Sequence, residues 1–91
     1  MKIAYLEDEP ELATTVAEWL RSATWDVEHF DSGLACVRAV ENHPFDVCLL
    51  DWMVPDLTGL EVMARLQFRL RRSMPPVVFT TGRDSEEDIV A

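Results

Sequence analysis

The sequence predicts an α/β protein, a doubly wound parallel sheet with helices on both faces. Three observations carry that expectation. Strand and helix signals alternate from the first residue. The apolar run Val47-Cys48-Leu49-Leu50 is continuous rather than alternating, as in a parallel strand buried on both faces. Two of the short apolar strands end abruptly on carboxylates, at Glu7-Asp8-Glu9 and at Asp51. In open α/β sheets the C-terminal strand ends face the crevice where ligands bind.

The elements follow in order. Residues 2–6 read as the first strand. Pro10 suits the first turn of a helix over 10–23, with Leu12, Val16, Trp19, Leu20 and Ala23 at helical spacing. Val27 to Phe30 forms a second strand, and Asp31 or Ser32 can cap a helix running to about Glu41. Asn42-His43-Pro44 is a turn, because the residue before proline avoids helical geometry. The third strand spans 46–51. Leu60, Met63, Leu66 and Leu70 define the third helix, and Val77 to Thr80 form the fourth strand. The sequence Ser85-Glu86-Glu87-Asp88 resembles a capping box that opens a fourth helix. The order βαβαβαβα implies right-handed crossovers.

Ninety-one residues support one small domain. No apolar run reaches membrane-spanning length and no basic, then apolar, leader opens the chain, so a cytoplasmic protein with no membrane partner is expected. Cys36 and Cys48 read as free core thiols. A net charge of −9 argues against direct nucleic-acid binding by this segment. Arg65, Arg69, Arg71 and Arg72 cluster on the third helix and its exit, where they form a solvated face. His29 and His43 read as surface residues.

The chemistry lies in the acids. Glu7, Asp8 and Asp51 converge at one sheet edge. Two such charges 4–5 Å apart repel by roughly 3–4 kcal/mol at an effective dielectric near 20. A divalent cation removes that penalty, and an oxygen-only, partly open site favours Mg²⁺. A carboxylate beside the metal can attack phosphorus and become an aspartyl phosphate. The plainer alternative is that each acid caps the helix that follows it, as Asp8 could for the helix at Pro10.

The residues resemble a known family. Lys2 to Pro10, Pro44 to Asp51, the loop residues Met53, Pro55 and Gly59-Leu60-Glu61-Val62, and Pro76 to Asp84 together are similar to the receiver domain of bacterial two-component response regulators. The resemblance implies a flavodoxin-like receiver fold, strand order 2-1-3-4-5, lacking the last strand and helix, with residues 1–91 forming a receiver domain incomplete at its C-terminus. It implies Asp51 as phosphoacceptor, Asp8 as direct metal ligand, Glu7 acting through water, and Met53 offering its backbone carbonyl to Mg²⁺. It places Thr81 at the switch hydroxyl. Thr80 reads instead as a strand-end hydroxyl bonded to backbone, and Trp52 as packing at the rim. Gly82 stands where the family commonly has alanine, and no lysine follows to pair the phosphoryl group.

The implied partners are a sensor histidine kinase and an output domain outside this segment, of the winged-helix DNA-binding kind. Transcription regulation by phosphorelay is the implied role, and the receiver itself is not expected to be an enzyme. Loss of a fifth strand and last helix would leave Val77 to Thr80 as a bare edge, so self-association is expected. Two other readings remain open. One is an Mg²⁺-dependent aspartyl-phosphate phosphohydrolase, a class that wants a second acid where this chain has Met53. The other is a receiver-like interaction module that is not phosphorylated.

Overall fold

Each short apolar run becomes a strand, and each amphipathic segment returns the chain across one sheet face. The computed structural model describes residues 1–54 and 56–80. The order is β1 (Lys2–Leu6), α1 (Pro10–Ser22), β2 (Asp26–Phe30), α2 (Gly33–Asn42), β3 (Val47–Asp51), α3 (Gly59–Leu70), a 3₁₀ turn (Arg71–Ser73) and β4 (Val77–Thr80). The expectations for Pro55, for the switch hydroxyl Thr81, for Gly82 and for a capping box at residues 85–88 lie outside the described residues.

All strand pairs are parallel, in the spatial order β2-β1-β3-β4. Alternation along the strands divides the core. Ala4, Leu6, Cys48, Leu50 and Phe79 pack toward Cys36, Val37 and Val40 of α2 and Val62 and Leu66 of α3. Ile3, Tyr5 and Val27 pack toward Ala13 and Ala17 of α1. The helices therefore lie on both faces, as the alternating pattern predicts. Both cysteines are free and buried. Burial pushes the Cys36 thiol up to about 12 and the Cys48 thiol up to about 11, so neither is a thiolate at neutral pH.

Several expectations need correction. Trp19 is 68% exposed, because α1 turns its small residues Ala13 and Ala17 to the sheet. Leu60 is 45% exposed, while Val62, one helical face away, is fully buried. Starting α3 at Gly59 sets that phase. The start itself is fastened by a capping box at Thr58 and Glu61: the Thr58 hydroxyl accepts the Glu61 N–H at 3.1 Å, and Glu61 accepts the Thr58 N–H at 2.8 Å. β3 is fully buried only at Cys48, Leu50 and Asp51; Val47 and Leu49, on the α1 side, are half-buried. No described helix is long and apolar enough to cross a membrane.

Candidate functional site

Sheet register builds the site. Leu6 pairs with Leu50, so the chain leaves β1 and β3 side by side, one strand delivering Glu7 and Asp8 and the other ending on Asp51. One carboxylate oxygen from each of Glu7, Asp8 and Asp51 lies within 4.8 Å of the others. Glu7 and Asp51 are buried, at 2% and 3% exposure, and Asp8 is half-buried. The three acids read from the sequence therefore do come together, at the C-terminal sheet edge.

The surroundings hold this cluster in place. The Glu7 N–H donates to the Phe30 carbonyl at 2.9 Å, which fixes the exit from β1 against β2. Glu7 Oε2 accepts the Glu9 N–H at 3.2 Å. Oε1 is buried and meets no donor among the described residues; the neighbouring Asp51 carboxyl can bond it only if one of the two holds a proton. Burial pushes the Glu7 carboxyl up to about 7, the Glu9 N–H opposes that shift, and the Asp51 charge adds to it. The buried Tyr5 phenol is raised as well, first by burial and then by the charges of Glu7 and Asp51.

This donor set fits a hard divalent cation. It offers oxygens only, carries excess negative charge, and contains a buried oxygen, Glu7 Oε1, that meets no donor among the described residues. Asp8 does not cap α1: the N-cap is Glu9, and no side chain caps that helix. The capping alternative for Asp8 fails, which leaves its carboxylate to the cluster.

Around Asp51 the loop is tightly drawn. The Met53 N–H approaches Asp51 Oδ1 at 3.4 Å, while the Met53 side chain is 52% exposed. The Gly59 N–H donates to the Trp52 carbonyl at 3.1 Å, and a Cβ on Gly59 would fall 2.5 Å from the Asp51 carbonyl oxygen. Trp52 packs edge-on against Phe79, ring centroids 5.0 Å apart. Thr80 pairs in register with Asp51, and its hydroxyl is buried without a partner among the described residues. Among the described residues that hydroxyl makes no bond to backbone, while the Thr80 carbonyl takes the Trp52 N–H at 3.3 Å.

Two residues acquire roles that the sequence reading missed. His29 is exposed, as expected, yet its Nε2 lies 2.8 Å from the Glu7 carbonyl, and its ring tilts against Tyr5 at 5.7 Å. Strand pairing supplies the reason, because Tyr5 and His29 are register partners. Asp56 bonds the first turn of α2 through Ser32, Gly33 and Leu34.

Residues 3–91 match the model of the response regulator receiver domain family. The chain belongs to that family. It is 34% identical over 91 residues to the transcriptional regulatory protein TcrA of Mycobacterium tuberculosis, a match covering 100% of this chain and 35% of that protein. The chain thus spans about a third of the length of the curated relatives it matches. Among solved structures, the BeF₃-activated N-terminal receiver domain of Klebsiella pneumoniae RstA superposes with a TM-score of 0.83 at 28% identity, covering 97% of this chain and 73% of that one. The receiver domain of the sensor histidine kinase PA1611 from Pseudomonas aeruginosa, with magnesium coordinated in its active-site cleft, gives a TM-score of 0.85 at 25% identity, covering 96% and 71%.

Proposed function

We propose that this receiver domain takes a phosphoryl group from a sensor histidine kinase onto Asp51 and passes that state to an output domain that regulates transcription. The observation that carries the reading is the meeting of Glu7, Asp8 and Asp51 within 4.8 Å at the C-terminal sheet edge. Glu7, Asp8, Asp51 and the Met53 carbonyl would hold Mg²⁺, which supplies charge neutralisation for the transferring phosphoryl oxygens. A carboxylate oxygen of Asp51 attacks phosphorus, the bond from phosphorus to the donor breaks, and the donor leaves with that electron pair. The kinase, the output domain, the residence of residues 1–91 in one receiver domain, a cytoplasmic location and the absence of enzymatic turnover all belong to this reading, as does a switch role for Thr81. Met53 is exposed and offers no second carboxylate, so nothing favours the phosphohydrolase alternative.

The test is direct. The chain is incubated with acetyl phosphate and Mg²⁺ and weighed by intact-mass spectrometry. One added phosphoryl group in wild type and none in Asp51→Asn is the expected result. Equal labelling in both would remove Asp51 as acceptor.

A further inference from the structure

α3 carries an outward stripe that no described element covers. Leu60, Ala64 and Phe68 recur at four-residue spacing, so they stand above one another on one side of the helix. All three are exposed, Phe68 by 75%. Ala64 and Phe68 line two grooves of about 390 Å³ each. One groove is shared with Val37 and Glu41 of α2, and the other runs toward Gln67 and Arg71. The small side chain of Ala64, between two larger ones, makes a saddle that another helix can approach closely.

The charges around this stripe are cationic on a chain whose net charge is −9. Arg65 and Arg69 line the first groove and Arg71 the second. None of the three has an ion pair among the described residues. Glu61, one helical turn before Arg65, is already bonded to the Thr58 N–H at 2.8 Å. Glu41 lies across the groove and pairs with neither Arg65 nor Arg69.

The geometry points to this face as the docking surface for an acidic amphipathic helix of a partner protein. The stripe spans about 12 Å, the length of two helical turns. A helix laid into such a groove presents its own anchors at i, i+4 and i+7. Arginines take carboxylates in a bidentate fork, and an aromatic beside arginine is the pairing that concentrates binding energy at interfaces. A polyphosphate chain is disfavoured as the occupant, because seventeen acids face eight basic residues over the whole sequence. The surface needs no phosphorylation of Asp51, so it stands or falls apart from the function proposed above.

The test uses the 91-residue chain and a fluorescent designed peptide of about sixteen residues, long enough to hold four helical turns, Glu-rich with Leu and Phe at i, i+4 and i+7. Anisotropy should show saturable binding that weakens as salt is added. Phe68→Ser should weaken it at least tenfold, and so should the pair Arg65→Glu and Arg69→Glu. Arg65→Lys with Arg69→Lys should retain most of it. Trp19→Ser, which alters an equally bare aromatic on α1, should leave it unchanged. Circular dichroism of each variant should match wild type; if Phe68→Ser unfolds, the charge-reversed pair decides. Four results would each overturn the proposal: no saturable binding, equal binding of a Lys-for-Glu peptide, insensitivity to the arginine reversal, or displacement by a single-stranded oligonucleotide, which would assign the face to nucleic acid.

Discussion

The Asp56 carboxylate closes on the backbone of Gly33, accepting its N–H at 2.9 Å through Oδ1, while Oδ2 takes the Leu34 N–H at 3.0 Å and the Ser32 hydroxyl at 2.9 Å. The loop that leaves the candidate phosphoacceptor is thereby tied to the start of α2. An ordinary N-cap comes from the residue beside the helix, and Ser32 is that residue here, accepting the Ala35 N–H at 3.2 Å. Asp56 adds a second cap from 23 residues away along the chain.

That cap should show in acid. Bonds to the N–H of Leu34 foremost, then to Gly33, Ser32 and the Leu57 N–H, hold the Asp56 carboxyl down at about 2, against an ordinary value of 3.8. A depressed folded-state value means that Asp56 contributes stability above pH 4, and that this contribution is lost as pH falls toward 2. Asp56→Ala should cost about 1 kcal/mol at neutral pH. Its deficit relative to wild type should shrink between pH 4 and 2 in urea titrations. A constant deficit across that window would mean the carboxylate charge is not what stabilises.

Gly59→Ala tests how closely α3 abuts the end of β3. The added methyl would sit 2.5 Å from the Asp51 carbonyl oxygen and 2.9 Å from the Phe79 ring. The first neighbour is backbone and cannot rotate away. A loss of about 1–3 kcal/mol is expected from overpacking, with weaker metal binding as Asp51 shifts. Thermal melts with and without Mg²⁺ separate the two effects.

Metal binding is best followed at Trp52, which lies against Phe79 directly after Asp51. Trp19 and Trp25 are exposed and would dilute the signal, so the background should be Trp19→Phe with Trp25→Phe. Adding Mg²⁺ or Mn²⁺ should change Trp52 emission. Asp8→Asn should raise the midpoint at least tenfold by removing one of the three clustered carboxylate charges. An unaltered midpoint would take Asp8 out of the site.

The two cysteines should be silent toward a disulfide exchange reagent while the chain is folded. Both are fully buried, and their thiols are held in the protonated form. Two thiols should react per chain in denaturant, at a rate that tracks unfolding. Rapid native reactivity would show that the face between α2 and β3 opens locally.

What could be read in advance followed from period and punctuation. Val47 to Leu50 announced a strand, though one fully buried only on the side of α2 and α3, the strand-end acids announced the edge, and Asp31 or Ser32 announced the cap of α2, which Ser32 supplies. The remainder depends on contacts between residues distant in sequence. Asp56 looks like any loop acid until the fold brings α2 beneath it. His29 finds Glu7 only because β1 and β2 pair in register. Of the α3 stripe, Leu66 is buried and Met63 and Leu70 pack against the core, and only Leu60 departs, because the helix buries Val62 and leaves Leu60 out. Trp19 misled in the same way, since the alanines of α1 are what allow that helix to lie close to the sheet.

The division of the core into two unequal halves also sets an order of opening. Among the described residues, twelve are buried on the side of α2 and α3, whereas five, Ala13 and Ala17 of α1 among them, are buried on the side of α1. Amide protons in α1 should therefore exchange with deuterated solvent sooner than those in the middle of α3, even though α1 is the longer helix by one residue, thirteen against twelve. A protease offered the native chain should accordingly make its first internal cut within α1 or its flanking turns, leaving the β3–α3 half briefly intact.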